Sequence, residues 1–159
     1  MEFIPNVGLT RSHYLEDMHR YALLVFLGLF LVGATQAQEI TRTPSGEGAQ
    51  VYIISPADGD VVSGPVTVKF GLKGMGVAPA GISYPNTGHH HLLVDAETLP
   101  PLNQPIPTDH HHRHFGKGQT ETTVELEPGT HTLQLIFADM SHIPHDPVVV
   151  SEKITITVK

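Results

Sequence analysis

From residue 51 onward, apolar and polar positions alternate in short runs, each closed by glycine, proline or aspartate. Residues 51–55 (VYIIS) form an apolar run that stops at PADGD, where Asp58 and Gly59 suit a tight turn with a positive-φ position. Residues 65–70 (PVTVKF) put Val66, Val68 and Phe70 on one face of a strand, with Thr67 and Lys69 on the other. HHLLVD (90–95) predicts a third strand and TTVELE (122–127) a fourth. EPGT (127–130) fits a type II turn, with Pro128 and Gly129 at its centre. It leads into HTLQLIFAD (131–139), where Leu133, Leu135 and Phe137 share a face. A last strand is predicted over 148–158, with Ile154, Ile156 and Val158 inward. Glu152 falls on that parity, which predicts a bulge or a change of sheet at 151–153.

No stretch after residue 37 sustains an apolar period of 3.6 residues. About seven short strands between Gly/Pro turns predict an all-β fold, an immunoglobulin-like antiparallel β-sandwich, as a single domain over 51–159. The chain has no cysteine and no tryptophan, so the core signature of antibody domains is missing and only the architecture is predicted. Such an architecture names no function. Two connections, 71–88 and 96–119, far exceed the roughly 4–6 residues typical of compact domains. Pro100, Pro101, Pro105 and Pro107 stiffen the second, which suits a histidine cluster held in place.

Upstream, an apolar run at 21–34 (YALLVFLGLFLVGA) follows Arg20 and ends in the small-residue pattern TQA. Residues 1–37 therefore read as a signal peptide, with Met18 as an alternative start. The run is shorter than the ~20 residues that span a bilayer, so membrane contact is expected only through an uncleaved signal segment. Residues 38–50 are polar and Gly-containing and predict a flexible leader. The expected location is the periplasm, or the medium outside the cell.

Nine basic against sixteen acidic residues give a net charge of −7 with histidines neutral. That balance argues against nucleic acid, which needs a basic stripe, and against adhesion to anionic lipid. Ten of the twelve histidines follow residue 37, so the charge rises steeply below about pH 6.5.

Those histidines fall in clusters: NTGHHHLLVD, TDHHHRHFG and SHIPHDP. On a strand, residues i and i+2 face one side. His89 and His91 then project outward with Leu93 and Asp95, while His90, Leu92 and Val94 take the core face. His90 and His131 are expected as rim histidines of that face, and His110 and His111 as a solvated run beside Asp109. His112 and His114 repeat the i, i+2 spacing, and His142 and His145 lie on either side of Pro144. If the strands holding 89–95 and 131–139 are antiparallel neighbours, His89 and His91 reach the same sheet edge as Asp139 and His142. The long loop can then fold His114 over them. The candidate metal ligands are His89, His91, His114, His142 and His145. Asp139 and Asp146 stand behind them as an oxygen ligand or as acceptors for imidazole N–H groups.

Imidazoles with a carboxylate suit Cu(II) or Zn(II), and the Irving–Williams order makes copper the tighter ion. The absence of cysteine excludes blue-copper and thiolate-zinc sites. Met75 and Met140 are too few for a thioether Cu(I) buffer. The expected mature terminus, Gln38, carries no histidine for a terminal copper chelate. These residues predict an exported metal-binding module serving in binding, delivery or protection. The alternative is a metal-free sandwich that binds a protein or glycan through its long loops. A metallohydrolase with Glu121 or Asp139 as base is a third reading, and no Gly-x-Ser-x-Gly elbow offers a serine nucleophile.

Several long motifs, in order, resemble one family: SPADGDVVSGPVTVKFGLKGMGVAPAG, PNTGHHHLLVD, LPPLNQPIP, HFGKGQTETTVELEPGTHTLQL and HIPHDPVVVSEKITITV. It is the family of small exported bacterial proteins known as domain of unknown function 4399. The resemblance covers about 51–158 and implies an envelope or periplasmic protein; besides the metal ion, an envelope protein is the expected partner. It implies no activity. The family's triple histidine, "HFG" histidine and "HIPH" pair are carried here by His89 to His91, His114, His142 and His145. Where such proteins often read GDHNHIPHDP, this chain reads ADMSHIPHDP, which places Met140 where a further ligand would stand.

Overall fold

The structure, a computed structural model, describes residues 40–159. The predicted signal segment and Met18 lie outside the described residues. Among the described residues every regular element is a strand, ten in all.

A three-stranded sheet has the order β1 (Gln50–Ser55), β3 (Val66–Lys73), β7 (Glu121–Val124). The second sheet runs β2 (Val61–Val62), β10 (Ile154–Val158), β8 (Gly129–Ala138), β5 (Thr87–Val94), β4 (Gly76–Val77). Two more strands join this second sheet: β6 (His112–Phe115) pairs with β5, and β9 (Pro144–Val150) pairs with β8. The predicted β-sandwich is thus observed. Most pairs are antiparallel, but the short β10–β2 and β5–β4 pairings are parallel, so the second sheet is mixed. The extra strands over the six predicted segments are the two-residue β2 and β4, together with β6 and the separation of β9 from β10. The final strand breaks where Glu152 conflicted with the inward parity. There Ser151 Oγ accepts from the Leu135 amide at 2.9 Å and donates to the Glu152 carbonyl at 2.7 Å, which replaces ladder bonds at the switch.

Alternation decides what fills the core. In β3, Val66, Val68 and Phe70 are buried and the residues between them exposed. They meet Leu92, Leu135 and Phe137 of the opposite sheet. From His89 to Val94, however, β5 is buried on both faces. The second face carries Leu93, Ile136 and Ala138, covered by Ile106 from the long loop and flanked by Leu102 and Ala96. Burying such a side chain is worth about 1.5–3 kcal/mol, which is what draws the proline-stiffened loop onto the sheet. The face predicted outward for His89 and His91 does point away from the sandwich core, but it is buried rather than solvent-exposed, on the side that the long loop covers.

The stretch predicted as a flexible leader also makes specific contacts. Pro44 bridges Asp146 in parallel. The Ser45 amide donates to the Asp146 carbonyl at 3.0 Å, and the Asp146 amide donates to the Thr43 carbonyl at 2.9 Å. Residues 42–45 thus lie along the start of β9, because β9 offers a free edge there. The rest of the predicted leader ends at β1, which begins at Gln50.

Candidate metal centre

Strand register assembles the centre. β5 and β8 are antiparallel neighbours with His89 opposite Ala138, so the turn after β8 rises beside His89. On its other side β5 pairs with β6, where His91 stands directly opposite His114. Directly opposed residues have Cβ atoms about 4.5–5.5 Å apart, close enough for two imidazoles to meet. His142 comes from the turn, held at φ +66°. Its amide donates to the Asp139 carbonyl, and its own carbonyl accepts from the Ile106 amide of the covering loop, both at 2.9 Å.

One ring nitrogen from each of His89, His91, His114 and His142 falls within 4.8 Å of all the others. His89 Nε2 lies 3.1 Å from His91 Nε2 and 3.1 Å from His142 Nδ1. For metal–nitrogen bonds of ~2.0–2.1 Å, ligand atoms stand about 3.3 Å apart on a tetrahedron and about 2.9 Å along the sides of a square. The 3.1 Å contacts suit either geometry. They are compatible with a metal ion held by imidazoles, and equally with hydrogen bonds between the rings.

Electrostatics favour the ligand form of these rings. Burial, aided by the neighbouring histidines, pushes His89 down from 6.5 to about 4. The same causes push His91 down to about 2. His114 is lowered by burial and by His142. His89 and His91 are therefore neutral at pH 7, each with a lone pair to offer. His114 Nε2 is buried with no hydrogen-bond partner within the protein, whereas the unpartnered atoms of His89 and His91 are Nδ1, not the Nε2 atoms that meet in the cluster. A buried polar atom left unpaired costs about 1–3 kcal/mol, so His114 Nε2 stands open to a ligand.

A family model described as a domain of unknown function, DUF4399, matches residues 68–159, more than half of the chain. The chain belongs to the DUF4399 family. No curated protein and no solved structure matches it. The DUF4399 match spans all four converging histidines and begins within β3, downstream of the segment that lies along β9.

His145, the fifth predicted ligand, stands apart from the four. It already belongs to β9, where strand alternation sends its ring to the core face. It stacks on Phe137 at 6.0 Å between centroids, and its Nδ1 faces the Thr43 carbonyl at 3.3 Å. His90 is corrected from a rim position to a fully buried core residue beside Phe70 and Phe137.

The two predicted supporting carboxylates do other work. Asp139 Oδ1 accepts from the amides of Ser141 (2.8 Å) and Ile143 (3.1 Å), and Oδ2 accepts from Thr43 Oγ1 at 2.6 Å. It shapes the turn that presents His142, and no imidazole N–H reaches it. Asp146 is exposed and accepts from Arg42 at 3.3 Å, away from the rings. Glu121, the other candidate base, sits exposed on the three-stranded sheet. Met140 is exposed too, outside the cluster.

Two contributors escaped the sequence reading. Gly116 packs so closely under His114 that a Cβ there would collide with the His114 ring. At Gly88 a Cβ would meet the Ala138 carbonyl, with Phe137 at 2.8 Å and His145 Nε2 at 2.9 Å. The glycines in "TGHHH" and "HFG" were visible as letters, but only the packing explains them.

Proposed function

We propose that this DUF4399 protein is an exported, periplasmic metal-binding protein that holds Cu(II) or Zn(II) through His89, His91, His114 and His142. The reading rests on one observation: four imidazole nitrogens converge within 4.8 Å, and no acidic residue is among them. Four neutral ligands leave the full charge of a divalent ion in place, which favours nitrogen-loving late metals over Mg(II) or Ca(II). Copper is the tighter of the two by the Irving–Williams order. His114 and His142 are half-buried while His89 and His91 are fully buried, so an ion would enter from the His114–His142 side. Binding, delivery to an envelope protein and protection are all consistent with such an entry.

The test is elemental analysis of the chain from Gln38, purified without a polyhistidine tag, beside His91→Ala, His114→Ala and His145→Ala variants. Near-stoichiometric copper or zinc in the wild type and in His145→Ala is expected, with loss in the other two. Equal metal content in all four proteins would sink the site.

A further inference from the structure

His142 is the one ligand of the four that does not sit on a strand. It occupies a turn in the left-handed region, at φ +66°. That conformation disfavours a residue with a Cβ by about 1–2 kcal/mol, so neighbouring contacts must hold it. The contacts come largely from one carboxylate. Asp139 Oδ1 takes the Ser141 and Ile143 amides on both sides of His142, which fixes the loop as a closed ring. The Asp139 amide also donates to the Ile143 carbonyl at 2.9 Å.

The remaining oxygen of Asp139 is claimed from outside the turn. Thr43 Oγ1 donates to Oδ2 at 2.6 Å, a short charge-assisted bond. Thr43 belongs to the segment that lies along β9. Beside it, Arg42 Nε donates to the Pro144 carbonyl at 2.9 Å, and the Arg42 guanidinium donates to the His145 carbonyl and to Asp146 Oδ1. The Ser45 and Asp146 amides complete the fastening. Residues 42–45 thus grip the segment that follows His142 and the carboxylate that precedes it.

We infer that residues 42–45 are a strap that sets the fourth ligand of the metal site, with Thr43 and Asp139 as positioning residues. This rests on the metal reading of the four-histidine cluster and adds regulation to it. With the strap docked, His142 faces His89 and the site offers four imidazoles. With it released, Asp139 loses its anchoring donor, the turn relaxes out of the left-handed conformation, and His142 leaves. His89, His91 and His114 stay, because strand pairing of β5 and β6 places them independently of the strap. The same centre thereby exists in a tighter four-ligand form and a weaker three-ligand form open to an incoming donor. An event at the strap, such as a partner seizing this segment, would loosen the hold on the ion.

Co(II), a spectroscopic stand-in for Zn(II), tests this in the full chain with Thr43→Val, Thr43→Ser and Arg42→Ala. Wild-type protein is expected to show the intense visible bands of a four-coordinate site. Thr43→Val and Arg42→Ala should bind about 10- to 100-fold more weakly, the usual consequence of losing a supporting contact, with bands altered in shape and intensity. Thr43→Ser keeps the hydroxyl and should restore both affinity and spectrum. Amide exchange at Ser141 and Ile143 in the metal-free protein should quicken in Thr43→Val. A wild type that binds Co(II), with Thr43→Val unchanged in affinity and spectrum, overturns the strap and leaves the metal site standing. A wild type that takes up no metal overturns both.

Discussion

Replacing His90 by leucine separates two roles within one run of three histidines. His90 is fully buried on the face opposite His89 and His91, with the rings of Phe70 and Phe137 centred 5.1 Å and 5.0 Å away. Neither ring nitrogen has a hydrogen-bond partner within the protein. Burial pushes its pKa down from 6.5 to about 4, which the nearby Gln119 backbone opposes only weakly. A group whose folded pKa lies below its unfolded value gives stability that is complete above about pH 6.5 and is lost as pH falls toward 4. At about 1.4 kcal/mol per pH unit, that loss comes to roughly 3 kcal/mol by pH 4. Against a domain stability of about 5–15 kcal/mol, the loss is large. Leucine has nearly the same volume, no proton to exclude and no polar atom to leave unpaired. Urea unfolding with chelator present, from pH 7.5 to 4, should therefore show the two chains diverging, with the variant retaining roughly 3 kcal/mol more at the acid end. The variant should be at least as stable at pH 7.5 and should keep its metal. The buried rings of the metal centre contribute acid sensitivity to both chains and cancel in the comparison. Parallel stability curves would refute the argument that His90 is held neutral by the core.

Two further outcomes follow from packing and charge. Gly116→Ala should displace the His114 ring and weaken Cu(II) or Zn(II) binding by about tenfold or more, read by competition with a chromogenic chelator, while His89 and His91 remain in place. His131 donates Nδ1–H to Asp95 Oδ2 and Nε2–H to the Glu127 carbonyl, both at 2.8 Å, and the Asp95 contact raises its pKa. Its contribution is complete below pH 6.5 and fades as pH rises through the raised value, so His131→Gln should destabilise the protein more at pH 6 than at pH 9 in urea titrations.

Local chemistry wrote much of this fold into the chain. The period-two pattern of PVTVKF and HTLQLIFAD specified β3 and β8, because a strand that buries one face must alternate. The misplaced Glu152 announced the break between β9 and β10. Parity also split the triple histidine correctly into a pair and a single residue. Antiparallel pairing of β5 with β8 was enough to bring His142 to that pair.

Long-range contact decided what local pattern could not. β6 carries HRHF, which has no apolar alternation, and it is a strand only because the edge of β5 accepts it. His91 meets His114 through that pairing alone. Leu93, on the face of His89 and His91, is covered because Ile106, eleven residues beyond Asp95, packs with it against Ile136 and Ala138. His142 and His145 look equivalent in HIPH, yet one stays in the turn and the other enters β9, where alternation turns it to the opposite face. Thr43 touches Asp139 across nearly a hundred residues. Composition and periodicity determine which segments form strands and which faces carry imidazole. Closure of the sheet, with the loop and strap laid over it, determines which imidazoles meet.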